Sequence, residues 1–117
     1  MRMTEITFAG ARPVDGYGPG FFRVGGGVIE GAMLVTAESA RSWAGLDDPA
    51  PLVALAGAVD VIFVGTGAEM AHLPVALRSA LEEAGIGVES MNTPAACRTF
   101  NVLLSEGRRV ALAALAV

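Results

Sequence analysis

The sequence predicts an α/β fold: a three-layer single domain over residues 1–117 with a mixed central sheet, a βαβ unit and an N-terminal β meander. The main observation is the apolar run from Asp60 to Gly67, which lacks alternation and stops on a glycine turn, as a strand buried on both faces does. Helical spacing from Pro74 to Ala84 and a second strand from Gly87 to Met91 complete the βαβ unit.

Composition limits the classes of function. The chain is 53% hydrophobic and 17% charged with a net charge of −4, so we expect an apolar patch for a partner protein or a second copy, and no nucleic-acid surface. All eight basic residues are Arg, which excludes a Schiff-base lysine and a Walker-type phosphate lysine. The single cysteine, Cys97, excludes an intrachain disulfide.

Short strands separated by glycines fill the first third of the chain. The segment from Arg12 to Gly20 is dense in Gly and Pro and predicts turns without a regular element. Other segments predict a meander that forms a small antiparallel layer: Glu5 to Phe8, Phe21 to Val24, Val28 to Glu30 and Ala32 to Thr36. Tyr17, Phe21 and Phe22 either fill the core of this layer or form an exposed aromatic lip.

The signal weakens between Ala37 and Ala58, where Trp43 lies in a connecting segment. Asp48 followed by Pro49 predicts a capped short helix that runs to about Gly57. Asp47 and Asp48 are adjacent, but capping explains them better than a catalytic carboxylate pair does.

Two helices and a strand are predicted in the second half. The helix from Pro74 has an apolar stripe and ends at Gly85. Thr93 is the predicted N-cap of the last helix, with Pro94 at its first position. Four side chains of this helix face the core: Ala96, Phe100, Leu103 and Leu104. Gly107 ends the helix, and Arg109 to Ala116 is predicted as a core strand that closes the sheet.

The candidate site is the edge where the two parallel strands of the βαβ unit end. The turn Gly65, Thr66 and Gly67 should lie beside Asn92 and Thr93 there, because the loops after parallel strands open at the same edge of the sheet. This is the edge at which α/β folds bind ligands. The N–H groups at the helix N-terminus favour an anion. Gly65 and Gly67 match two glycines of a dinucleotide fingerprint, but Met70 occupies the third position, so the turn is better explained as a strand ending.

Arg98, Asn101 and Ser105 follow at i, i+3 and i+7, which places them on one polar stripe of the last helix. The stripe is a solvated surface, a contact row for a partner protein or an anion site. Cys97 and His72 are the candidate reactive side chains, but a buried inert thiol and a loop histidine explain them better. The sequence predicts no metal site and no cofactor, and no catalytic residue is assigned.

The amino-terminal residues show neither a signal-peptide core nor an Arg-rich presequence, so we expect a cytoplasmic protein, at most peripheral to the inner membrane. Val110 to Val117 is too short for a transmembrane segment, which needs about 20 residues.

Several segments resemble a family of small α/β domains of unknown function, and together they span nearly the whole chain. These segments are Tyr17 to Phe21, Val64 to Gly67, Gly85 to Glu89, Asn92 to Leu103 and Glu106 to Arg108. The family includes bacterial and archaeal proteins, the adipogenesis-associated domain and a mitochondrial assembly factor for respiratory complex I.

The resemblance implies a three-layer α/β domain and, for the mitochondrial relatives, a scaffold role without an established enzymatic activity. One position departs from the family: the residue before Thr93 is often acidic there and is Asn92 here. The leading hypothesis is therefore a protein-binding domain, an assembly factor for a membrane respiratory complex, that uses the edge of Thr66, Thr93, Arg98 and Asn101. The alternatives are a small-molecule binder or enzyme that holds an anionic ligand at the Gly65–Gly67 turn, and a structural homo-oligomer.

Overall fold

The computed structural model describes residues 5–117, which form nine strands and three helices. The elements are β1 Glu5–Thr7, β2 Val14–Gly18, β3 Phe21–Val24, β4 Gly27–Glu30, β5 Met33–Val35, β6 Ser39–Ser42, α1 Ala50–Val53, β7 Val61–Gly65, α2 Val75–Glu83, β8 Gly87–Met91, α3 Thr93–Ser105 and β9 Val110–Ala114. This arrangement confirms the predicted α/β class with a mixed sheet, a βαβ unit and an N-terminal meander.

Six strands form the mixed sheet in the order β1-β6-β5-β9-β7-β8. β7 is parallel to both β8 and β9, as the βαβ unit predicts, whereas β5 runs antiparallel to β9 and to β6. The prediction that the last strand closes the sheet is wrong in its placement. β9 lies between β5 and β7, and all five of its residues are buried, because its small and branched apolar side chains fit between the two layers of helices.

Two hydrophobic cores lie on opposite faces of this sheet. On one face, α1 and α2 cover Ile62, Val64 and Ala113. On the other face, α3 and the small sheet cover Phe63 and Leu112. β7 therefore contributes alternate residues to both cores, which explains why its sequence is a continuous apolar run.

The small sheet, in the order β2-β3-β4, corrects the prediction that Arg12 to Gly20 contains no regular element. Val14–Gly18 pairs with β3 through a bulge between Val14 and Gly16. Gly18 lies opposite Phe21, and a Cβ at Gly18 would lie 2.6 Å from the Phe21 ring, so the glycine makes room for that ring across the strands. Phe22 is fully buried, and Tyr17, which stays 38% exposed, meets its ring edge-on.

The sequence does not predict β6 of the six-stranded sheet, and it predicts the wrong cap for α1. β6 offers one buried side chain, Ala40, which is too weak a pattern to predict a strand. α1 ends at Val53, short of the predicted Gly57, and Pro49 rather than Asp48 precedes its first residue, with no side-chain cap. Asp48 instead offers its backbone oxygen to Trp43 Nε1 at 2.9 Å, which fixes the connecting segment.

The remaining elements match the predicted bounds within one or two residues, but β1 and β5, which were predicted in the small antiparallel layer, belong to the six-stranded sheet. α2 ends beside Gly85, whose φ of +80° supplies the left-handed conformation that ends a helix. β8 has the predicted bounds. The N-cap of α3 is Asn92, one residue before the predicted Thr93. Within residues 5–117, no helix is both long and apolar enough to cross a membrane.

Candidate functional site

The loops after β7 and β8 lie against each other at the carboxyl edge of the sheet. The Thr66 N–H donates to the Met91 carbonyl oxygen at 2.9 Å, and the Thr93 N–H donates to the Gly67 oxygen at 2.8 Å. The glycine turn and the start of α3 are thus adjacent, because parallel strands bring their following loops to the same edge.

Thr93 is the centre of this junction and is fully buried. Its Oγ1 donates to the Leu115 oxygen at 2.7 Å and accepts from the Gly67 N–H at 2.9 Å. A Cβ at Gly65 would lie 2.7 Å from the same Oγ1, so the absence of a side chain at Gly65 lets α3 approach β7 this closely. Thr93 therefore joins the ends of β7 and β9 to the start of α3, and its side chain has no surface for a partner.

The N-terminus of α3 uses its hydrogen bonds within the chain. The Asn92 side chain accepts from the Ala95 N–H at 2.8 Å, Pro94 has no N–H, and the Ala96 N–H donates to the Asn92 oxygen at 2.9 Å. No unbonded N–H remains in this turn for an anion. An aspartate at position 92 would cap the helix in the same way.

Thr66 organises the loop that follows β7. The donor partners of its half-buried hydroxyl group are the backbone oxygens of Glu69, at 2.8 Å, and Met91, at 3.2 Å. The same hydroxyl oxygen accepts from the Ala71 N–H at 3.0 Å. Gly67 continues the turn with a φ of +96°, a conformation that favours glycine. The turn Gly65, Thr66 and Gly67 is thus held by bonds within the chain.

The polar stripe of α3 divides into three different environments. Arg98 is exposed, and the described residues include no hydrogen-bond or ion-pair partner for it. Asn101 is half-buried: its Oδ1 accepts from the Val14 N–H at 2.8 Å and its Nδ2 donates to the Val14 oxygen at 3.1 Å. Ser105 donates to the Val102 oxygen within its own helix at 2.6 Å. Asn101 thus holds the small sheet against α3, and Arg98 faces solvent.

Cys97 and His72 do not form a reactive pair in this structure. Cys97 is buried, and burial raises the pKa of its thiol to about 11, an effect that the charge of Arg98 only partly opposes. His72 is exposed in the loop before α2, and no hydrogen bond among the described residues joins it to Cys97. Within residues 5–117, no three His, Cys, Asp or Glu side chains come together in a group that could hold a metal ion.

A shallow groove of about 290 Å³ lies on the outer side of α3. We call it the α3 groove; its lining residues are Arg98, Thr99, Val102 and Leu103. Val102 is 55% exposed, and Thr99 Oγ1 lies 3.6 Å from the sulfur of Met91, which places the groove beside β8. Val102 is not among the residues predicted for a site, although an apolar residue beside the predicted polar stripe indicates an apolar surface.

A larger cleft of about 600 Å³ opens at the opposite end of the sheet. The turn between β5 and β6, α1 and the residues after α3 form its walls, and Arg41 and Arg108 are among its lining residues. Arg109, also in the lining, donates to Asp60 at 2.7 Å, and this hydrogen bond lowers the pKa of the Asp60 carboxyl group. This cleft could not be predicted from the sequence, because its walls come from segments far apart in the chain.

Comparison with known proteins finds a family of unknown function, an uncharacterised bacterial relative and a relative named as an assembly factor. The family described as "Protein of unknown function (DUF498/DUF598)" matches residues 14–115. An uncharacterised protein of Rhodobacter capsulatus is 55% identical over 115 residues, 98% of this chain and 93% of that protein. The NADH dehydrogenase [ubiquinone] 1 alpha subcomplex assembly factor 3 of Danio rerio is 32% identical over 106 residues, which is 85% of this chain and 60% of that protein.

Solved structures have the same fold. A protein of Bartonella henselae, described as an outer membrane protein, has a TM-score of 0.84 and 35% identity, and the match covers 94% of this chain and 98% of that one. A Mth938-like domain from Bordetella pertussis has a TM-score of 0.75 and 28% identity, and the match covers 98% and 92% of the two chains.

Proposed function

Because the chain belongs to the DUF498/DUF598 family of proteins of unknown function, we propose its role from its relatives: a protein-binding domain that assists the assembly of NADH dehydrogenase, the respiratory complex I. The observation that carries the proposal is the 32% identity to the zebrafish assembly factor over 85% of this chain. The chain spans 60% of that relative's length, so the shared part is the α/β domain described above.

The α3 groove is the surface that we assign to the partner. Val102 offers an exposed apolar side chain, and Arg98 beside it offers a charge without a partner among the described residues. An apolar centre beside an arginine is a common composition for a contact that carries binding energy. Of the edge residues expected from the sequence, Arg98 remains in this proposal. Thr66, Thr93 and Asn101 use their side chains in bonds within the chain and are not part of the assigned surface.

Affinity capture of a tagged chain from its own cells, with cross-linking and mild detergent, tests the proposal. We expect NADH dehydrogenase subunits with the unmodified chain and at least about tenfold less with Val102→Asp or Arg98→Glu. The matched control is Val75→Asp, because Val75 is also an exposed valine, 81% exposed, at the start of α2. Recovery that is equal for all four chains would remove the α3 groove from the proposal, and absence of every NADH dehydrogenase subunit would contradict the assembly role.

A second candidate is the binding of a small anionic ligand with an apolar body. The observation that favours it is the cleft of about 600 Å³, where Arg41 and Arg108 have no ion-pair partner among the described residues and most other lining residues are apolar. Glu5 and Glu38 also line the cleft and limit its preference for anions.

Decanoate is a suitable probe for this cleft. Titration followed by NMR should move the amide signals of residues 36–39 and 107–110, and Arg108→Gln should weaken binding while Arg78→Gln, on the exposed side of α2, should not. Equal binding of decanol and decanoate would show that the arginines do not select the ligand. An unchanged spectrum with both compounds would contradict this second candidate.

A further inference from the structure

β8 is a full-length strand at one end of the six-stranded sheet. It pairs with β7 in unbroken register over five residues, from Val61 opposite Gly87 to Gly65 opposite Met91. Within residues 5–117, no element pairs with its other side. β8 contains no Pro and no bulge, two of the devices by which exposed strand edges avoid pairing with other chains, and its one charged residue is Glu89.

Two of the other edge strands carry a feature that protects them from pairing. β1, at the opposite end of the same sheet, has three residues, and β2 of the small sheet carries a bulge. A short strand and a bulged strand are both poor templates for another strand. β4, the other edge of the small sheet, has four residues, so β8 is the longest edge strand without a bulge within residues 5–117.

The outward backbone groups of β8 can be assigned from its bonds at both ends. The Gly87 N–H donates to the Asp60 oxygen, and the Met91 oxygen accepts from the Thr66 N–H, each at 2.9 Å. Alternate residues of a parallel strand direct their N–H and C=O to the same neighbour. Gly87, Glu89 and Met91 therefore bond to β7, whereas Val88 and Ser90 direct two N–H and two C=O groups away from the sheet.

The α3 groove continues this edge. Met91 packs with the core on the α3 side of the sheet, whereas Val88 packs with the core on the α2 side. Because side chains alternate along a strand, Glu89 lies on the α3 side with Met91. Glu89 is exposed, so a strand added to β8 would lie next to a carboxylate and beside the apolar surface of Val102.

We propose that the partner binds by adding an extended strand to β8, with an apolar side chain of that strand in the α3 groove and a basic residue opposite Glu89. This inference rests on the proposed protein-binding function and states how that binding occurs. The unpaired backbone groups determine the occupant, because a β-strand is the structure that matches alternating N–H and C=O groups along an edge.

A second copy of this chain fits the edge less well. A two-fold antiparallel pair that bonds all four outward groups must place Val88 opposite Ser90 of the other copy. This register places Glu89 opposite Glu89, and like charges directly opposite each other destabilise a strand pair. The structure thus favours a different protein as the occupant.

Ser90→Pro is the variant that tests this inference. It removes an outward N–H and places the proline ring on the free edge, while every N–H that bonds to β7 remains. Proline is tolerated on edge strands for this reason. Ser90→Ala is the matched control, because it changes the side chain and keeps the N–H. Thermal unfolding of both variants should stay close to that of the unmodified chain.

A photo-crosslinking amino acid at position 102, introduced in cells, reports whether the groove is occupied. We expect an adduct with another protein that Ser90→Ala retains and Ser90→Pro reduces at least about tenfold. An adduct that Ser90→Pro leaves unchanged, an adduct with a second copy, or no adduct would overturn the strand addition. If Ser90→Pro fails to fold, hydrogen exchange of the unmodified chain provides the test. Slower exchange of the Val88 and Ser90 amides in the complex than in the free chain would support strand addition, and unchanged exchange would overturn it.

The same experiment separates this inference from the proposed function. A proline-sensitive adduct with a protein outside NADH dehydrogenase would support strand addition and contradict the assembly role. A proline-insensitive adduct with an NADH dehydrogenase subunit would support the assembly role and overturn strand addition.

Discussion

Gly65 and Thr93 depend on each other at the end of the central strand. The Thr93 hydroxyl group has one donor and one acceptor bond, to Leu115 and from Gly67, and it lies where a Gly65 side chain would otherwise be. A glycine that looked like part of a phosphate-binding turn therefore serves close packing between a strand and a helix.

We predict that Gly65→Ala lowers the free energy of unfolding by about 1–3 kcal/mol, because the added Cβ would lie 2.9 Å from the Thr93 backbone Cα, which cannot move without the helix. Urea unfolding followed by circular dichroism measures the change. Gly10→Ala is the control, since nothing lies within 4 Å of a Cβ at that position. Equal stability of the two variants would show that the junction is more adaptable than the structure indicates.

The Cys97 thiol should be unreactive in the folded chain at neutral pH. Burial raises its pKa from an ordinary value of 9.0 to about 11, so the rate of iodoacetamide alkylation should keep rising up to about pH 11. The protonated thiol also contributes to stability below pH 9, and this contribution is lost as the pH rises towards 11. Rapid alkylation at pH 7 without denaturant would contradict both expectations and revive a reactive role for Cys97.

At the scale of elements, one side chain joins the small sheet to α3. Asn101 bonds both backbone groups of Val14, at the start of β2, across 87 positions of sequence. These bonds compensate for a strand whose sequence, rich in glycine, has little intrinsic β propensity.

We predict that Asn101→Ala lowers the free energy of unfolding by about 1–2 kcal/mol and increases amide exchange in Val14–Gly18 more than in β7. Hydrogen exchange with mass spectrometry resolves the two regions. Ser105→Ala on the same helix is the control, because Ser105 bonds within α3. An increase spread evenly over the chain would mean that Asn101 supports the whole fold and not this layer alone.

Elements with a strong local pattern were predictable from the sequence, and elements that depend on distant contacts were not. β7, α2 and β8 have clear periodicity and glycine boundaries, and their predicted bounds agree with the structure. The sequence of β2 predicts turns, because the contacts that stabilise it as a strand come from other elements. These contacts are the ring of Phe21 over Gly18 and the hydrogen bonds from Asn101.

The candidate site shows the same limit. Parallel pairing of β7 and β8 was enough to predict that the glycine turn and the start of α3 are adjacent. Asn92 and Thr93 are both good N-cap residues, so the sequence alone could not decide which of them caps α3. That shift of one residue makes Thr93 a buried structural residue, and it leaves Arg98 with Val102 as the accessible surface.

At the scale of the whole molecule, Glu89 should keep copies of this chain apart. We predict that Glu89→Val causes self-association, because it removes the like charges that would face each other across a β8 pair and leaves an apolar residue. Light scattering coupled to size exclusion at several concentrations measures the molar mass. Glu83→Val, on the exposed end of α2, is the control, and a larger mass for that variant alone would locate self-association elsewhere.

The central place of β9 has a consequence for the order of folding. β5 and β7 both pair with β9, so the six-stranded sheet has no continuous hydrogen bonding until Val110–Ala114 is present. Contacts between β5 and β9 close a loop of nearly 80 residues, from Val35 to Leu112, and such distant pairings form slowly. During synthesis the edges of β5 and β7 that pair with β9 therefore stay unpaired until β9 is available. We expect the domain to become protease-resistant only after residue 114 has left the ribosome.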